Sequence, residues 1–334
     1  MTTSSSPGKI ILFGEHAVVY GQPAIAVPVT QVNATCTIER AGHQGVILSA
    51  PDFGQRFWFS ETDRHNPLAA AVYAFQDRLE NHLLLHNLTI TVTSTIPVAS
   101  GLGSGAAIAA CIIRALAQHL GRADLATDMA VSAMTYEVER IHHGTPSGID
   151  NTVVSYERPV YFVRDLAVSD SATYQRALDV GLALYPPALE TFHAHTPLHI
   201  LIANTGISAP TKESVGDVRR QWLETPAPFN QLFAACGDIA QEARTAIEQG
   251  QSGRLGELMW ANHEHLRQMT VSSAELDTLV EAAKQAGALG AKLSGGGRGG
   301  NMIALVQPET ETAVREALLA AGAISVIKTT LTST

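Results

Sequence analysis

Two groups of residues in this chain are placed to do chemistry. One is a glycine-rich run, Pro97-Val98-Ala99-Ser100-Gly101-Leu102-Gly103-Ser104-Gly105-Ala106-Ala107. The other is a small set of ionisable side chains interrupting apolar sequence: Lys9, Glu15, His16, Glu139 and Asp150. Residues 88–95 alternate apolar and polar, the period of a half-buried strand, and an Ala-rich apolar run to about residue 120 reads as a helix. The glycine run is therefore a loop between a strand and a helix N-terminus. Glycine lets backbone approach a ligand closely. The first amides of a helix are free and its dipole favours negative charge there, so the loop reads as an anion site, most often for phosphate. The plainer reading is a turn that only reverses the chain.

The loop alone does not name the phosphate compound. No Gly-Lys-Ser/Thr closes it, so it is not a P-loop. Gly101, Gly103 and Ala106 match G-x-G-x-x-A, but a dinucleotide fold needs a second strand after the helix. Residues 121–124 lead instead into another helical run to about residue 141, which argues against that fold.

The ionisable residues admit two readings each. Gly14-Glu15-His16 breaks an apolar strand pair, which is odd for plain core because buried charge is rare unless paired. Glu137 and Glu139 lie near a helix C-terminus, where the dipole opposes them; a bound metal or Arg140 would offset that cost. Pro146 and Gly148 shape a loop presenting Asp150, either as a turn former and cap or as a catalytic group. A second glycine loop, 294–300, contains Arg298, whose charge suits phosphate. His65, His82 and His86 show no metal-ligand spacing and read as surface or helix-face residues, and the His142-His143 pair, without i,i+4 spacing, reads as structural.

The positioning elements come next. Strands are expected at 9–13, 17–29 with a turn at Gly21 and Pro23, 32–38, 56–59, 159–163, 198–203, 288–293, 302–306 and 324–329. Helices are expected at 67–85 with Asn66 as cap, 124–141, 177–184, 211–222, 229–250, 253–269, 273–286 and 308–321. The chain length suggests two domains, 1–185 and 186–334. A net charge of −9 argues against a general nucleic-acid or anionic-membrane surface, so a polyphosphate binder of this kind must concentrate positive charge locally or recruit a metal cation. Cys36, Cys111 and Cys236 have neither zinc spacing nor a disulfide framework, which fits a reducing cytoplasm. The polar tract 2–6 lacks the regions of a signal peptide, and apolar runs break before membrane-spanning length.

Three separated segments combine into a resemblance. Residues 7–21, with Lys9 and Gly14-Glu15-His16, resemble the first motif of the GHMP small-molecule kinases. Residues 97–107 resemble their ATP-phosphate loop, and 292–300 their C-terminal glycine motif. Within that superfamily the chain looks most like the mevalonate kinase family, also through 142–151, Asn204-Thr205-Gly206 with Thr211-Lys212, and Asn262-His263-Glu264-His265-Leu266.

The resemblance implies an α+β, two-domain GHMP kinase fold. Its N-terminal α/β domain would be like domain 2 of ribosomal protein S5, its C-terminal domain ferredoxin-like, with the active site in the cleft. The implied reaction moves the γ-phosphoryl of ATP to the 5-hydroxyl of mevalonate, with magnesium, on the isoprenoid route; a homodimer is left open. By residue, Asp150 would accept the hydroxyl proton, Lys9 would stabilise the attacking oxygen, and Glu139 would ligate magnesium. Glu15, His16, Ser147, Thr205 and Gly296 would lie near mevalonate, Ser94 near the nucleotide, and residues 97–107 around the phosphates. Two departures stand out. The family usually has a second, magnesium-ligating serine where this chain has Gly105, so Ser104 or water would have to substitute. The third motif carries Ser294 and Arg298 where Thr and Gly are more usual; Arg298 either contacts phosphate or the substrate carboxylate, the reading favoured, or points outward. Other GHMP kinases, for phosphomevalonate, galactose or homoserine, a mevalonate 3-kinase, and a non-catalytic ATP sensor are the rivals. The presence of Lys9, Glu139 and Asp150 speaks against the sensor.

Overall fold

The computed structural model describes residues 1–79, 86–97, 100–143, 146–208 and 210–332, without the side chains of His142 and His143. Val98, Ala99, Gly144 and residues 80–85 of the expected first helix lie outside the described residues. The chain forms two compact units. The first comprises Met1–Lys9, Pro28–Val98 and Leu102–Glu157; the second comprises Ile10–Val27, Ala99–Gly101 and Arg158–Thr334.

The first unit begins in β1 (Thr2–Phe13), which includes the polar tract 2–6. Those hydroxyl residues form a strand because β1 pairs with β2 (Ala24–Arg40) along the backbone; Thr3 Oγ1 lies 3.2 Å from Thr37 Oγ1, while Ser6 is fully buried with its hydroxyl unpartnered among the described residues. The two segments expected at 17–29 and 32–38 are in fact a short 3-10 turn, Ala17–Tyr20, and this single long strand. β3 (Val46–Ala50), not anticipated, pairs antiparallel with β4 (Gln55–Trp58) and parallel with β5 (Leu88–Ser94), and β5 pairs antiparallel with β2. Behind this sheet stand α1 (Pro67–Gln76), α2 (Ser104–His119), α3 (Asp128–His143) and α4 (Ile149–Tyr156). Asn66 caps α1 as expected, its Oδ1 accepting from Leu68 and Ala69 amides, a cap of the kind worth about 1 kcal/mol. The Ala-rich face of α2 is wholly buried, from Ala106 to Ala117, which lets neighbouring helices approach closely.

In the second unit the first three residues of β2 pair with β6 (Val160–Val163), followed by α5 (Leu166–Ser169), α6 (Ser171–Asp179) and β7 (Ala188–Thr191), which pairs with β6. The helix expected at 177–184 starts earlier, because Asp170 caps it by accepting from the Thr173 amide. Then come β8 (Leu198–Asn204), α7 (Thr211–Glu224), α8 (Pro226–Glu248), α9 (Ser252–Gln268), α10 (Ala274–Gln285), β9 (Gly290–Ser294), β10 (Asn301–Val306), α11 (Glu311–Ala320) and β11 (Ser325–Leu331). The four strands run β11-β8-β10-β9, each pair antiparallel. With β10 inserted between β8 and β9, this is a split βαβ, the ferredoxin-like order. An aromatic group seals its core: Tyr20 stacks on Phe233 at 4.0 Å and meets Trp222 edge-on at 4.9 Å.

Candidate active site

The first unit assembles Lys9, Glu139 and Asp150. Lys9, in the second half of β1, is 5% exposed, and its amide donates to Leu102 O at 2.8 Å. Its Nζ lies 3.0 Å from Asp150 Oδ2. Asp150 occupies the first turn of α4, where an acidic side chain is favoured by the free amides. Gly148 caps that helix at φ 93°, a conformation suited to glycine.

The loop is shaped by glycine at Gly101 (φ 74°) and Gly103 (φ 73°), the N-cap of α2. A Cβ on Gly103 would stand 2.9 Å from Lys9 Cγ, so the absent side chain is what lets the lysine stem pass. Ser104 opens α2 half-buried, with the amides of Ser104, Gly105 and Ala106 at its N-terminus. The Ala107 amide already donates to Gly103 O at 3.0 Å, and the Leu102, Ala106 and Ala107 side chains are buried in the core. Pro97 is exposed and Ser100 is buried. Ser94 ends β5 with its amide on Asp52 Oδ2 at 2.8 Å and its hydroxyl accepting from Ile96 N.

Glu139 lies on α3 and is 6% exposed. Burial, reinforced by the Asp150 charge and only partly opposed by Lys9, pushes its carboxyl up to about 8. Arg140 pairs with Glu137, not with Glu139. A Cβ on Gly105 would lie 3.4 Å from Glu139 Oε1, so a serine there would set its hydroxyl beside this carboxylate. Among the described residues no group of three or more His, Cys, Asp or Glu could hold a metal. Magnesium needs only one or two protein carboxylates when phosphate oxygens complete its shell, and a buried carboxyl beside an anion-binding helix N-terminus fits that need.

The second unit holds the Gly14-Glu15-His16 turn. Gly14 has φ 87°, and a Cβ there would sit 2.3 Å from Pro23 O. His16 is at φ 59°, an uncommon setting for a residue other than glycine. Two groups hold the turn. Lys292 Nζ, on β9 and fully buried, bonds Glu15 Oε1 and donates to Leu293 O at 2.7 Å. His16 Nε2 lies 3.0 Å from Gly296 O, an acceptor, so the ring proton sits on Nε2. Burial lowers the imidazole to about 4, keeping it neutral, and buried Nδ1 has no hydrogen-bond partner among the described residues. Ser294 Oγ donates to Ile11 O at 2.8 Å and accepts from Ile11 N.

The second glycine loop, 295–300, connects the β9–β10 hairpin, and its glycines serve packing as well as access. A Cβ on Gly296 would meet Thr211 Oγ1 at 2.8 Å, and one on Gly297 Val271 O at 1.9 Å. Thr205 closes onto this loop, its amide and hydroxyl both donating to Gly300 O, at 2.8 and 3.0 Å. Ser147 is half-buried and accepts from Ile149 N at 3.4 Å. Arg298 corrects the expectation of a phosphate or substrate contact. Its guanidinium bonds Asp217 on α7 and the carbonyl of Thr270, and its amide donates to Val271 O at 2.7 Å, so it fastens the loop to α7 and to the turn after α9. Lys292 received no individual role from the sequence; a lysine in the apolar run 288–293 was the available signal.

Two families match this chain: GHMP kinases N terminal domain over residues 66–158 and GHMP kinases C terminal over 243–324. Fold and domains thus define a GHMP-type small-molecule kinase. The chain is 34% identical to the mevalonate kinase of Pyrococcus horikoshii, over 97% of this chain and 94% of the relative, and 32% identical to that of Aeropyrum pernix, over 90% and 87%. Among solved structures it resembles L. major mevalonate kinase in complex with R-mevalonate, with TM-score 0.78, 28% identity and coverage of 100% and 97% of the two chains. The chain belongs to the mevalonate kinase family.

Proposed function

We propose that this chain transfers the γ-phosphoryl group of ATP to the 5-hydroxyl of mevalonate, yielding 5-phosphomevalonate and ADP. The observation that carries the reading is the Lys9–Asp150 pair at 3.0 Å, its lysine buried and its aspartate partly exposed, near Glu139 in the unit that presents the α2 N-terminus.

Phosphoryl transfer asks a protein for positioning and charge neutralisation more than covalent chemistry. The glycine loop and the amides of Ser104, Gly105 and Ala106 hold phosphate oxygens. Asp150 accepts the hydroxyl proton as the new O–P bond forms and the bond to the β-phosphate oxygen breaks. The Lys9 ammonium offsets charge on the attacking oxygen and keeps Asp150 oriented. Glu139, with the Ser104 hydroxyl or water, would hold magnesium, which when bound neutralises phosphate charge. His16 offers a neutral acceptor, Nδ1, to a substrate hydroxyl, and Glu15 sets the turn that carries it. Thr205, Ser147 and Gly296 border the substrate in this reading, and Ser94 the nucleotide. The division near residue 185 into N- and C-terminal kinase domains and a cytoplasmic location belong to the same reading. Among the described residues no helix is long and apolar enough to cross a membrane.

An ADP-release assay against mevalonate, phosphomevalonate, homoserine and galactose tests it, with phosphorus NMR to place the new ester. Mevalonate should be the preferred acceptor and the 5-oxygen the site. Preference for another alcohol, or a 3-phosphate product, would overturn the reading.

A further inference from the structure

His263 lies on α9, is 6% exposed, and takes no part in the transfer step. Both of its ring nitrogens are committed. Nδ1 accepts from the Leu293 amide at 3.3 Å, and Nε2 lies 3.2 Å from Asp277 Oδ1 on α10. An amide only donates, so Nδ1 is bare and the ring proton sits on Nε2, directed at the carboxylate. Burial, opposed by Asp277, lowers the imidazole to about 4, so the ring is neutral and the Asp277 contact is a hydrogen bond rather than an ion pair. Asp277 is fixed in turn: Oδ1 accepts from Ser272 Oγ at 2.5 Å and Oδ2 from Arg267 Nε at 3.1 Å. A carboxylate on one ring nitrogen sets the tautomer, and with it the role of the other nitrogen.

The backbone that this ring holds leads to the Gly14-Glu15-His16 turn. β9 stands at the end of the order β11-β8-β10-β9, so one side of its backbone has no strand of that sheet to pair with. At Leu293 side chains take the strand's place: His263 receives the amide, and Lys292 Nζ donates to the carbonyl at 2.7 Å. The neighbours of Leu293 then reach the turn one after another. Lys292 bonds Glu15, Ser294 Oγ donates to Ile11 O at 2.8 Å, and Gly296 O takes the proton of His16 Nε2 at 3.0 Å. All of these residues belong to the second unit. The direction of the His16 ring is thus set by a stretch of backbone anchored on His263.

We propose that His263, oriented by Asp277, is a positioning residue: it anchors the end of β9 so that Gly296 O aims the His16 ring at the acceptor substrate. The proposal rests on the functional reading above, in which His16 Nδ1 meets a substrate hydroxyl. His263 acts through His16 and not on the reacting atoms.

Nitrogen NMR of the imidazoles and steady-state kinetics, both on the full chain, test it together. In wild type His16 and His263 should each show the Nε2–H tautomer. Asparagine carries an acceptor oxygen close to the place of Nδ1 and can still receive the Leu293 amide; leucine cannot. His263→Asn should therefore keep the His16 tautomer and a mevalonate KM within about threefold of wild type. His263→Leu should mix the His16 tautomers and raise the mevalonate KM about tenfold, with kcat and the ATP KM within a few-fold, because a contact made equally in ground and transition states is lost. Added to His16→Ala, the same leucine should change KM by less than about twofold, since the group it acts through is already gone. Asp277→Ala leaves the ring in place and should move both readouts the same way, KM by roughly threefold, which keeps the test open should the leucine variant fold poorly. Unchanged His16 resonances, equal losses on ATP and mevalonate, or losses that multiply in the double variant mark a merely structural histidine and would overturn the proposal. The tautomer readout needs no substrate, so a wild-type chain inactive on mevalonate whose His16 still follows His263 would overturn the kinase reading and leave the anchor standing.

Discussion

Glu139→Gln should stabilise the ligand-free protein, and more so as pH rises. The carboxyl ordinarily titrates near 4.5, and in the folded chain burial and Asp150 push it up to about 8. Between those values the unfolded chain has released the proton while the folded chain keeps it. The folded state then binds more protons, so stability falls as pH rises. Glutamine stays neutral and escapes this loss. The gap between variant and wild type should be near zero below pH 4.5, about 2 kcal/mol at pH 6 and roughly 4–5 kcal/mol at pH 8, flattening above. Thermal melts without nucleotide or magnesium, at one-unit pH steps from 5 to 9, read this directly. At about 2–4 °C per kcal/mol for a chain of this size, the variant should melt at least ~4 °C higher at pH 6 and at least ~8 °C higher at pH 8. The same carboxyl must lose its proton to take a cation, so magnesium should stabilise wild type less with each pH step below 8, and the variant little at any pH. A gap that does not vary with pH, or a variant less stable at pH 8, would refute the account of Glu139 as a carboxyl held protonated by burial and by Asp150.

Other substitutions test the remaining geometry. Asp150→Asn should lower kcat by roughly two to four orders of magnitude while nucleotide still raises the melting temperature, measured by steady-state kinetics beside melts. Gly105→Ser would place a hydroxyl against Glu139 and should lower the magnesium concentration giving half-maximal rate; an unchanged titration would show that Ser104 or water already fills that role. Gly103→Ala meets both φ 73° and the Lys9 stem, and should cost about 1–3 kcal/mol in chemical denaturation together with a fall in kcat. Lys292→Met strands the Glu15 carboxylate in a wholly buried site and should cost about 3–5 kcal/mol, much of it recovered in the Lys292→Met/Glu15→Gln double variant.

Features built by residues close together in the chain were legible from the sequence. The 97–107 loop could be read because a period-2 run, a glycine cluster and an apolar helix succeed one another within thirty-odd residues, and backbone sterics decide the rest. Asn66 before Pro67 announced a helix start for the same reason. Lys9, Glu139 and Asp150 could be singled out as charges in apolar or helix-end settings, and the family resemblance supplied their roles. Period and propensity could not foresee that the hydroxyl tract 2–6 would be a strand, because its stability comes from pairing with β2 rather than from its own composition.

Long-range contact alone decided which charges meet. Lys292 and Glu15 are separated by 277 positions, and only the folded chain reveals that each neutralises the other. Arg298 looked suited to phosphate until the fold gave it Asp217. The amino-acid order determined the elements, the glycine loops and the family. The tertiary structure determined the ionisation of Glu139 and His16 and the pairing of Lys292 with Glu15, since desolvation and Coulomb energy depend on distances across the fold rather than along the chain.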